Sequence, residues 1–448
     1  MGARSGGAWA AHRVRRATAP EGQRAEIDAR FQLRTAEQVA EALGQMKGAL
    51  MKLGQMASYL DQGLPEPARE ALASLRADAP PMAPELAADV VEAELGAPPD
   101  RIFAGWDPVP LAAASIGQVH RATTREGVEV AVKVQYPGVD AAIRADLGNA
   151  GLLFSGLAML FPGLEPGPLV EELRSRLLEE LDYGREAENQ RFFAEAYAGH
   201  PFIHVPAVVA ALSTPRVLTT ELAAGRRFEA LVADPDQSER DLAGEAIFRF
   251  VFRSLYALHV FNGDPHPGNY LFGGDGRVTF LDFGLVKRFT APEVDLFSDM
   301  VQAMALHGDV PRFRRAIERA GLLPAGSPFS DDEIEGYFGH FYDMVRTRGR
   351  RTLTPDYASE SVRRIFDASG PYGPIMKAAN VPPSFVIIQR INLGLHAVLG
   401  ELRATADWRG IAEELWPFVD GPPSTPLGEA EDAWLRQRAS RPVVRQGT

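Results

Sequence analysis

Apolar residues in the first hundred positions recur at helical spacing. Between residues 36 and 79, Val39, Leu43, Met46, Leu50, Leu53 and Met56 stand three or four apart, so they share one face of a helix. A proline-rich run at 79–84 breaks the pattern, and a short helix is expected from Glu85 to Leu95, stopped by Gly96. The period then changes. From about 103 to 134 the texture is that of strands and turns, clearest in Val128-Glu129-Val130-Ala131-Val132-Lys133-Val134-Gln135, entered through Glu126-Gly127. Helical spacing returns over about 169–197, a strand is expected at 216–221, and beyond Asp241 the chain reads as helical apart from one hairpin. Two longer apolar stretches, 150–161 and 382–402, are expected to be buried helices rather than membrane spans. The first is short and ends at Pro162; the second is interrupted by Gln389, Arg390, Asn392 and His396. After Pro417 proline, glycine and charge dominate, and a loose tail is expected.

Composition narrows the class. A chain of 448 residues suffices for two or three domains, and 46% hydrophobic with 24% charged residues is ordinary for a packed protein. The formal charge of −12 argues against a general nucleic-acid binder. The absence of cysteine excludes disulfides, thiolate metal sites and a cysteine nucleophile, and a reducing cytosol is the expected compartment. The first twenty residues carry four arginines and no acid, without the apolar core of a signal peptide, so a flexible basic start is expected.

The chemistry concentrates in Asn262-Gly263-Asp264-Pro265-His266-Pro267-Gly268-Asn269 and Leu281-Asp282-Phe283-Gly284. Between them Tyr270-Leu271-Phe272, the turn Gly273-Gly274-Asp275-Gly276 and Val278-Thr279-Phe280 read as a hairpin, which folds Asp264, Asn269 and Asp282 toward one place. Hard oxygen donors gathered there suit Mg²⁺ bridging nucleotide phosphates, with one carboxylate left to accept a hydroxyl proton. The spacing is that of kinase catalytic and metal-binding loops. Lys133, on an otherwise apolar strand, matches the lysine that holds α- and β-phosphates, and one of Glu180, Asp182 or Glu186 is expected to pair with it, because an unpaired buried ammonium is costly. Upstream, Ala112-Ala113-Ala114-Ser115-Ile116-Gly117-Gln118-Val119 follows a glycine-rich nucleotide loop but has Ala112 and Ala114 in place of glycines. Alanine restricts positive φ, so an altered phosphate geometry is expected.

With these pieces in view, the chain resembles the UbiB/AarF family of atypical protein-kinase-like proteins. The likeness rests on Lys52-Leu53-Gly54-Gln55 (the KxGQ motif), the alanine loop ending at His120, Lys133, Glu180-Leu181-Asp182 (the ExD motif), Leu218-Thr219-Thr220-Glu221, the Asp-Pro-His-Pro-Gly-Asn run and Asp-Phe-Gly. It spans about residues 45–402. The resemblance implies an α+β, bilobal protein-kinase-like fold with a helical N-terminal extension, binding of ATP with Mg²⁺, and support of isoprenoid-quinone or other lipid metabolism at a membrane. In that reading Asp264 is the catalytic base, Asn269 and Asp282 bind the metal, and Glu186 pairs with Lys133. Ala112, Ala113, Ala114, Ser115, Ile116, Gly117 and Val119 lie against ATP, and backbone near Glu221 and Leu222 holds adenine. Lys52 and Gln55 fold over the site and, with Glu180 and Asp182, regulate it.

Some features depart from the kinase pattern. The usual His-Arg-Asp reads Asn262-Gly263-Asp264, and Thr290-Ala291-Pro292-Glu293 reads as a helix-capping box rather than the end of a long peptide-docking segment. A cluster of Arg346, Arg348, Arg350 and Arg351 is a candidate contact with anionic lipid. The expected organisation is a flexible start (1–30), a helical extension (31–99), an N-lobe (100–224), a helical C-lobe (225–415) and a tail (416–448). Expected partners are a nucleotide and a small-molecule or lipid acceptor, with peripheral membrane contact at the inner face and no nucleic acid. Two rival readings are a phosphotransferase for a soluble alcohol and a nucleotide-sensing scaffold without turnover.

Overall fold

In this computed structural model the described residues are 84–114, 116–140, 181–263, 265–366, 370–380 and 382–440. Lys52, Gln55, Ser115, Glu180 and Asp264, and most of the expected N-terminal extension, lie outside them. The chain divides into two compact units, one built from residues up to Arg185 together with Val209–Thr219, the other from Glu186–Val208 and Thr220 onward.

The first unit is built on a five-stranded sheet. Its strands are β1 (Gly105–Trp106), β2 (Ala112–Ala114), β3 (Gly117–Thr123), β4 (Glu129–Gln135) and, through its first residues, β6 (Val217–Glu221). The order is β1-β3-β4-β6, with β2 paired to β3. Helix α1 (Pro84–Leu95) covers one face; it ends where Gly96 takes φ +81°, as its sequence predicts. The alternation in β4 sorts its side chains. Val130, Val132 and Val134 are fully buried in a core with Ala87, Val91, Phe103 and Val217, whereas Glu129, Ala131 and Lys133 occupy the other face.

The second unit is mainly helical. Helix α2 (Tyr183–Ala196) crosses the boundary between the two units. The central helix α3 (Gln237–Leu258) starts where the Asp236 carboxylate accepts the Ser238 N–H and ends at His259 in a left-handed conformation (φ 53°). That sharp end feeds β7 (Val260–Asn262), which pairs antiparallel with β10 (Val286–Arg288). β8 (Tyr270–Phe272) and β9 (Val278–Phe280) form the expected hairpin, closed by Asp275 at φ 58° and Gly276 at φ 74°, with β5 (Ile203–His204) parallel to β9. Helix α4 (Ala291–Val301) follows β10 directly and carries the predicted capping box between Thr290 and Glu293. The apolar stretch around residue 390 forms the helix α5 (Pro383–Glu401), and no described helix is long and apolar enough to cross a membrane.

The tail corrects the expectation of looseness. After α6 (Trp408–Leu415) the chain forms α7 (Pro426–Ser440), with Leu427, Glu431 and Trp434 buried. The polar composition that suggested disorder is here used for burial of ion pairs against α3.

Candidate functional site

The loops that carry the candidate chemistry hang from two short ladders. β7 pairs with β10 so that Asn262 faces Val286, and Gly263 N–H donates to the Leu285 carbonyl at 2.7 Å. This places the start of the Asn-Gly-Asp run beside the Asp-Phe-Gly segment. The β8–β9 hairpin does the same at the other end, where the Leu281 N–H donates to the Asn269 carbonyl at 3.0 Å. Asn269 itself ends a 3₁₀ turn, Pro267–Asn269, which the His266 Nδ1 caps by accepting the Gly268 N–H at 3.0 Å. His266 is thus a capping residue. Asp282 Oδ1 accepts the Gly284 N–H at 2.9 Å, which turns the chain after the acid. Phe283, fully buried, packs 5.0 Å from the Phe193 ring and anchors the segment, and its carbonyl accepts from Asn189.

Two carboxylates meet at Gly284. A Cβ built there would stand 3.2 Å from Asp282 Oδ1 and 3.8 Å from Glu186 Oε2, so the buried Glu186 and the metal-ligand candidate flank one glycine. A cation placed near both would be favoured by their negative charge. Asn269 and Asp282 offer the hard oxygen donors that Mg²⁺ prefers. Among the described residues no group of three or more acids or histidines is arranged as a metal cage; Asp264, the third expected donor, is outside them.

Asn262 is a residue whose function the sequence did not reveal. Its Nδ2 donates to the Asp282 carbonyl at 2.6 Å, and its buried Oδ1 has no hydrogen-bond partner among the described residues. It stands where the kinase pattern has histidine, and that departure was the available signal. Asparagine there ties the Asn-Gly-Asp run to the Asp-Phe-Gly backbone.

In the first unit the alanine loop is a tight hairpin. Ala112 pairs with Val119, Ala113 with Gln118 and Ala114 with Gly117. The alanines sit in a strand, and none of them takes a positive φ, so the expected conflict between alanine and a glycine conformation does not arise. Gly117 is needed for space, since a Cβ would fall 2.2 Å from the Val134 carbonyl oxygen and 2.8 Å from the Tyr183 hydroxyl. Ile116 is buried beneath the turn, and its carbonyl accepts the Tyr136 N–H at 2.9 Å. His120, which ends the motif, is structural: Nδ1 donates to the Asp107 carbonyl at 2.9 Å, Gln118 Nε2 lies 2.9 Å from Nε2, and burial pulls its pKa down, so it stays neutral. Lys133 Nζ lies 4.9 Å from the centre of the Tyr183 ring, a cation–π contact. Asp182 caps α2 by accepting the Gly184 N–H at 2.9 Å.

Glu221 is half committed. Its N–H donates to the Ala207 carbonyl at 2.8 Å and its carboxylate takes the Ala207 N–H at 3.3 Å. The adjacent Leu222 makes no backbone hydrogen bond among the described residues, which leaves a donor and an acceptor where adenine was expected. The arginines of the cluster have partners within the protein. Arg346 pairs with Glu335 and Asp343, Arg348 with Glu413 and Asp407, and Arg350 with Asp241, while Arg351 donates to the Asp343 carbonyl. These pairings offset part of the cluster's positive charge.

One further constellation has the distances of a hydrolase triad. His340 Nδ1 is 2.9 Å from Asp343 Oδ2, and its Nε2 is 2.8 Å from Ser361 Oγ. Ser361, however, is fully buried and its hydroxyl donates to the Tyr357 carbonyl at 3.0 Å, so no substrate reaches it. The group is a packing network extended by His396, which burial holds neutral at a pKa of about 3.

The linked loops, the strand lysine and the α+β architecture are those of a kinase-like domain, and the ABC1 atypical kinase-like domain matches residues 74–316, more than half of the chain. The chain belongs to the ABC1 atypical kinase-like family. This is the UbiB/AarF group to which its motifs point. It is 35% identical over 308 residues to the rat protein named atypical kinase COQ8B, mitochondrial, covering 67% of this chain and 57% of that protein. The Caenorhabditis elegans atypical kinase coq-8, mitochondrial, is 28% identical over 390 residues, covering 85% of this chain and 50% of that one. Among solved structures, Rv3197 of Mycobacterium tuberculosis, solved as a complex with erythromycin, is 31% identical with a TM-score of 0.63. That match covers 88% of this chain and 98% of the other. The chain spans about half the length of the curated family relatives it matches.

Proposed function

We propose that the protein binds Mg-ATP and spends it in ATP hydrolysis or in phosphoryl transfer to a small-molecule or lipid hydroxyl, in support of isoprenoid-quinone or other lipid metabolism. The observation that carries this reading is the double tie of the Asp282 backbone region to the catalytic run, through Asn262 at one end and Asn269 at the other. Asp282 and Asn269 would hold the metal. Magnesium, when bound, offsets negative charge on the β- and γ-phosphate oxygens during transfer. Asp264 takes the proton of the attacking hydroxyl or water as the bond from the γ-phosphorus to the ADP oxygen breaks. Lys133 and the hairpin Ala112, Ala113, Ala114, Ser115, Ile116, Gly117 and Val119 serve the phosphates. Glu186 supplies counter-charge, and the unbonded Leu222 backbone beside Glu221 serves adenine. Lys52, Gln55, Glu180 and Asp182 regulate access. The names of the mitochondrial relatives support the quinone-linked reading. Peripheral membrane contact at the inner face belongs to the same proposal.

A peptide acceptor is disfavoured, because β10 and the Thr290 capping box follow Gly284 directly and leave no long docking segment. The likeness to a chain solved with erythromycin supports a second reading, a soluble alcohol as acceptor.

The test is Asp282→Asn. Asparagine keeps an Oδ1 for the Gly284 N–H, so the turn survives while the charge is lost. Calorimetry is expected to show Mg-ATP affinity reduced by roughly tenfold or more, with an unchanged melting temperature, because the lost carboxylate would be a hard oxygen donor to the metal. Unchanged Mg-ATP affinity refutes the assignment.

A further inference from the structure

A cavity of about 110 Å³ lies within the helical unit. Helix α3 contributes Phe252 and Tyr256, α4 contributes Met300, α5 contributes Gln389 and Asn392, and Trp416 completes the wall. Almost all the other lining side chains are aliphatic or aromatic, and none of them is an acid, a base or a histidine. The polar exceptions are the phenols of Tyr256, Tyr337 and Tyr342 and the amides of Gln389 and Asn392. None of these five side chains makes a hydrogen bond to the described protein, and none of their polar atoms is sealed from solvent. Gln389 and Asn392 stand three apart on α5 and so share a face.

We propose that this cavity binds a neutral, hydrocarbon-rich small molecule with one uncharged hydrogen-bonding headgroup, such as a short-chain alcohol, phenol or ketone. Two features select that chemistry. The aromatic and aliphatic walls reward apolar area removed from water. No lining cation compensates a carboxylate, sulfate or phosphate, and no acid compensates an ammonium, so a charged headgroup is rejected on desolvation. The five unpartnered phenol and amide groups would serve a hydroxyl or carbonyl. The binding helices are also those that border the phosphate loops: α3 runs into β7, and α4 begins just after β10.

Trp416 in the wall provides a local reporter. The full chain is titrated with 6-bromohexan-1-ol, whose bromine quenches tryptophan only near contact. Saturable quenching is expected, largely lost in Trp416→Phe. 6-Bromohexanoate is expected to bind at least tenfold more weakly. Two wall substitutions that fill the space from different helical segments, Ala379→Phe and Val301→Phe, are each checked for an unchanged or raised melting temperature. At least one folded filler is expected to weaken the alcohol tenfold. No saturable quenching overturns the proposal, and that is also the outcome if other residues of the chain occupy the cavity in solution. Equal binding of alcohol and carboxylate, or unaltered affinity in folded fillers, overturns it as well.

Discussion

Replacing Glu431 by glutamine probes the largest buried charge cluster in the helical unit. Arg249, fully buried on α3, donates Nε to Glu245 at 2.7 Å, Nη2 to Glu414 at 2.8 Å and Nη1 to Glu431 at 3.0 Å. Arg253 also bonds Glu431, and His200 Nε2 lies 3.3 Å from the same carboxylate. His200 is kept neutral chiefly by burial, so it donates Nε2–H to Glu431 while its Nδ1 accepts the Ile203 N–H at 3.1 Å. Against desolvation, which pushes it up, the His200 hydrogen bond and the two guanidiniums hold the Glu431 carboxyl down at about 2. From the ordinary 4.5 that shift corresponds to about 3 kcal/mol of stability. Removing one partner of a buried pair costs a similar ~3–5 kcal/mol. Part returns, because burial raises Glu245 above its ordinary value, and with one anion fewer it ionises more readily beside Arg249.

Glu431→Gln is therefore expected to lose about 2–4 kcal/mol at pH 7, a melting shift of roughly 5–15 °C for a unit of this size. The depressed carboxyl contributes stability that is complete above 4.5 and is lost as pH falls toward 2, so the gap between wild type and variant should narrow across that window. Calorimetric melts at pH 7 and at steps below 4.5 measure both. A loss under about 1 kcal/mol, or a gap that stays constant on acidification, would refute the picture of a coupled cluster holding α7 on α3.

Asn262→Leu removes the donor to the Asp282 carbonyl and is expected to weaken Mg-ATP binding roughly fivefold, about the value of one hydrogen bond; Asn262→His restores a donor and should recover most of it, and calorimetric affinities decide. In the first unit, Gly117→Ala forces a methyl against the Val134 carbonyl and should cost about 1–3 kcal/mol. Ala114→Gly, at the paired position, should cost only about 0.5–1 kcal/mol by loosening an extended strand. Hydrogen exchange of the β3–β4 amides distinguishes the two, and equal effects would mean that the hairpin is not packed as described.

Much of the local structure was legible in the chain. The alternation of Val130, Val132 and Val134 announces a strand with one buried face, and β4 buries those three residues while Lys133 lies on the other side. Gly273-Gly274-Asp275-Gly276 announces the β8–β9 hairpin, and Asp275 and Gly276 do take positive φ. Thr290 and Glu293 announce a helix start, and the capping box forms. These signals are short-ranged: period, turn chemistry and capping each depend on neighbours within a few residues. The kinase-like motif spacing is equally local, because it rests on two short loops and the hairpin between them.

The sequence was silent wherever a side chain's partner lies far along the chain. Four arginines between 346 and 351 read as a basic patch until Glu335, Asp407, Glu413 and Asp241 meet three of them in space. The polar tail reads as loose until Glu431 reaches Arg249, 182 residues away. The alanine loop reads as a variant of a glycine-rich nucleotide loop until strand pairing shows extended backbone there. Composition and periodicity decide which segments become helix or strand and which face is apolar, because those are properties of consecutive residues. Whether a charge is solvated or paired, a polar segment docked or free, and a set of apolar faces closed or left open around a cavity depends on contacts between distant segments. Only the tertiary structure, by removing those groups from water together, decides that.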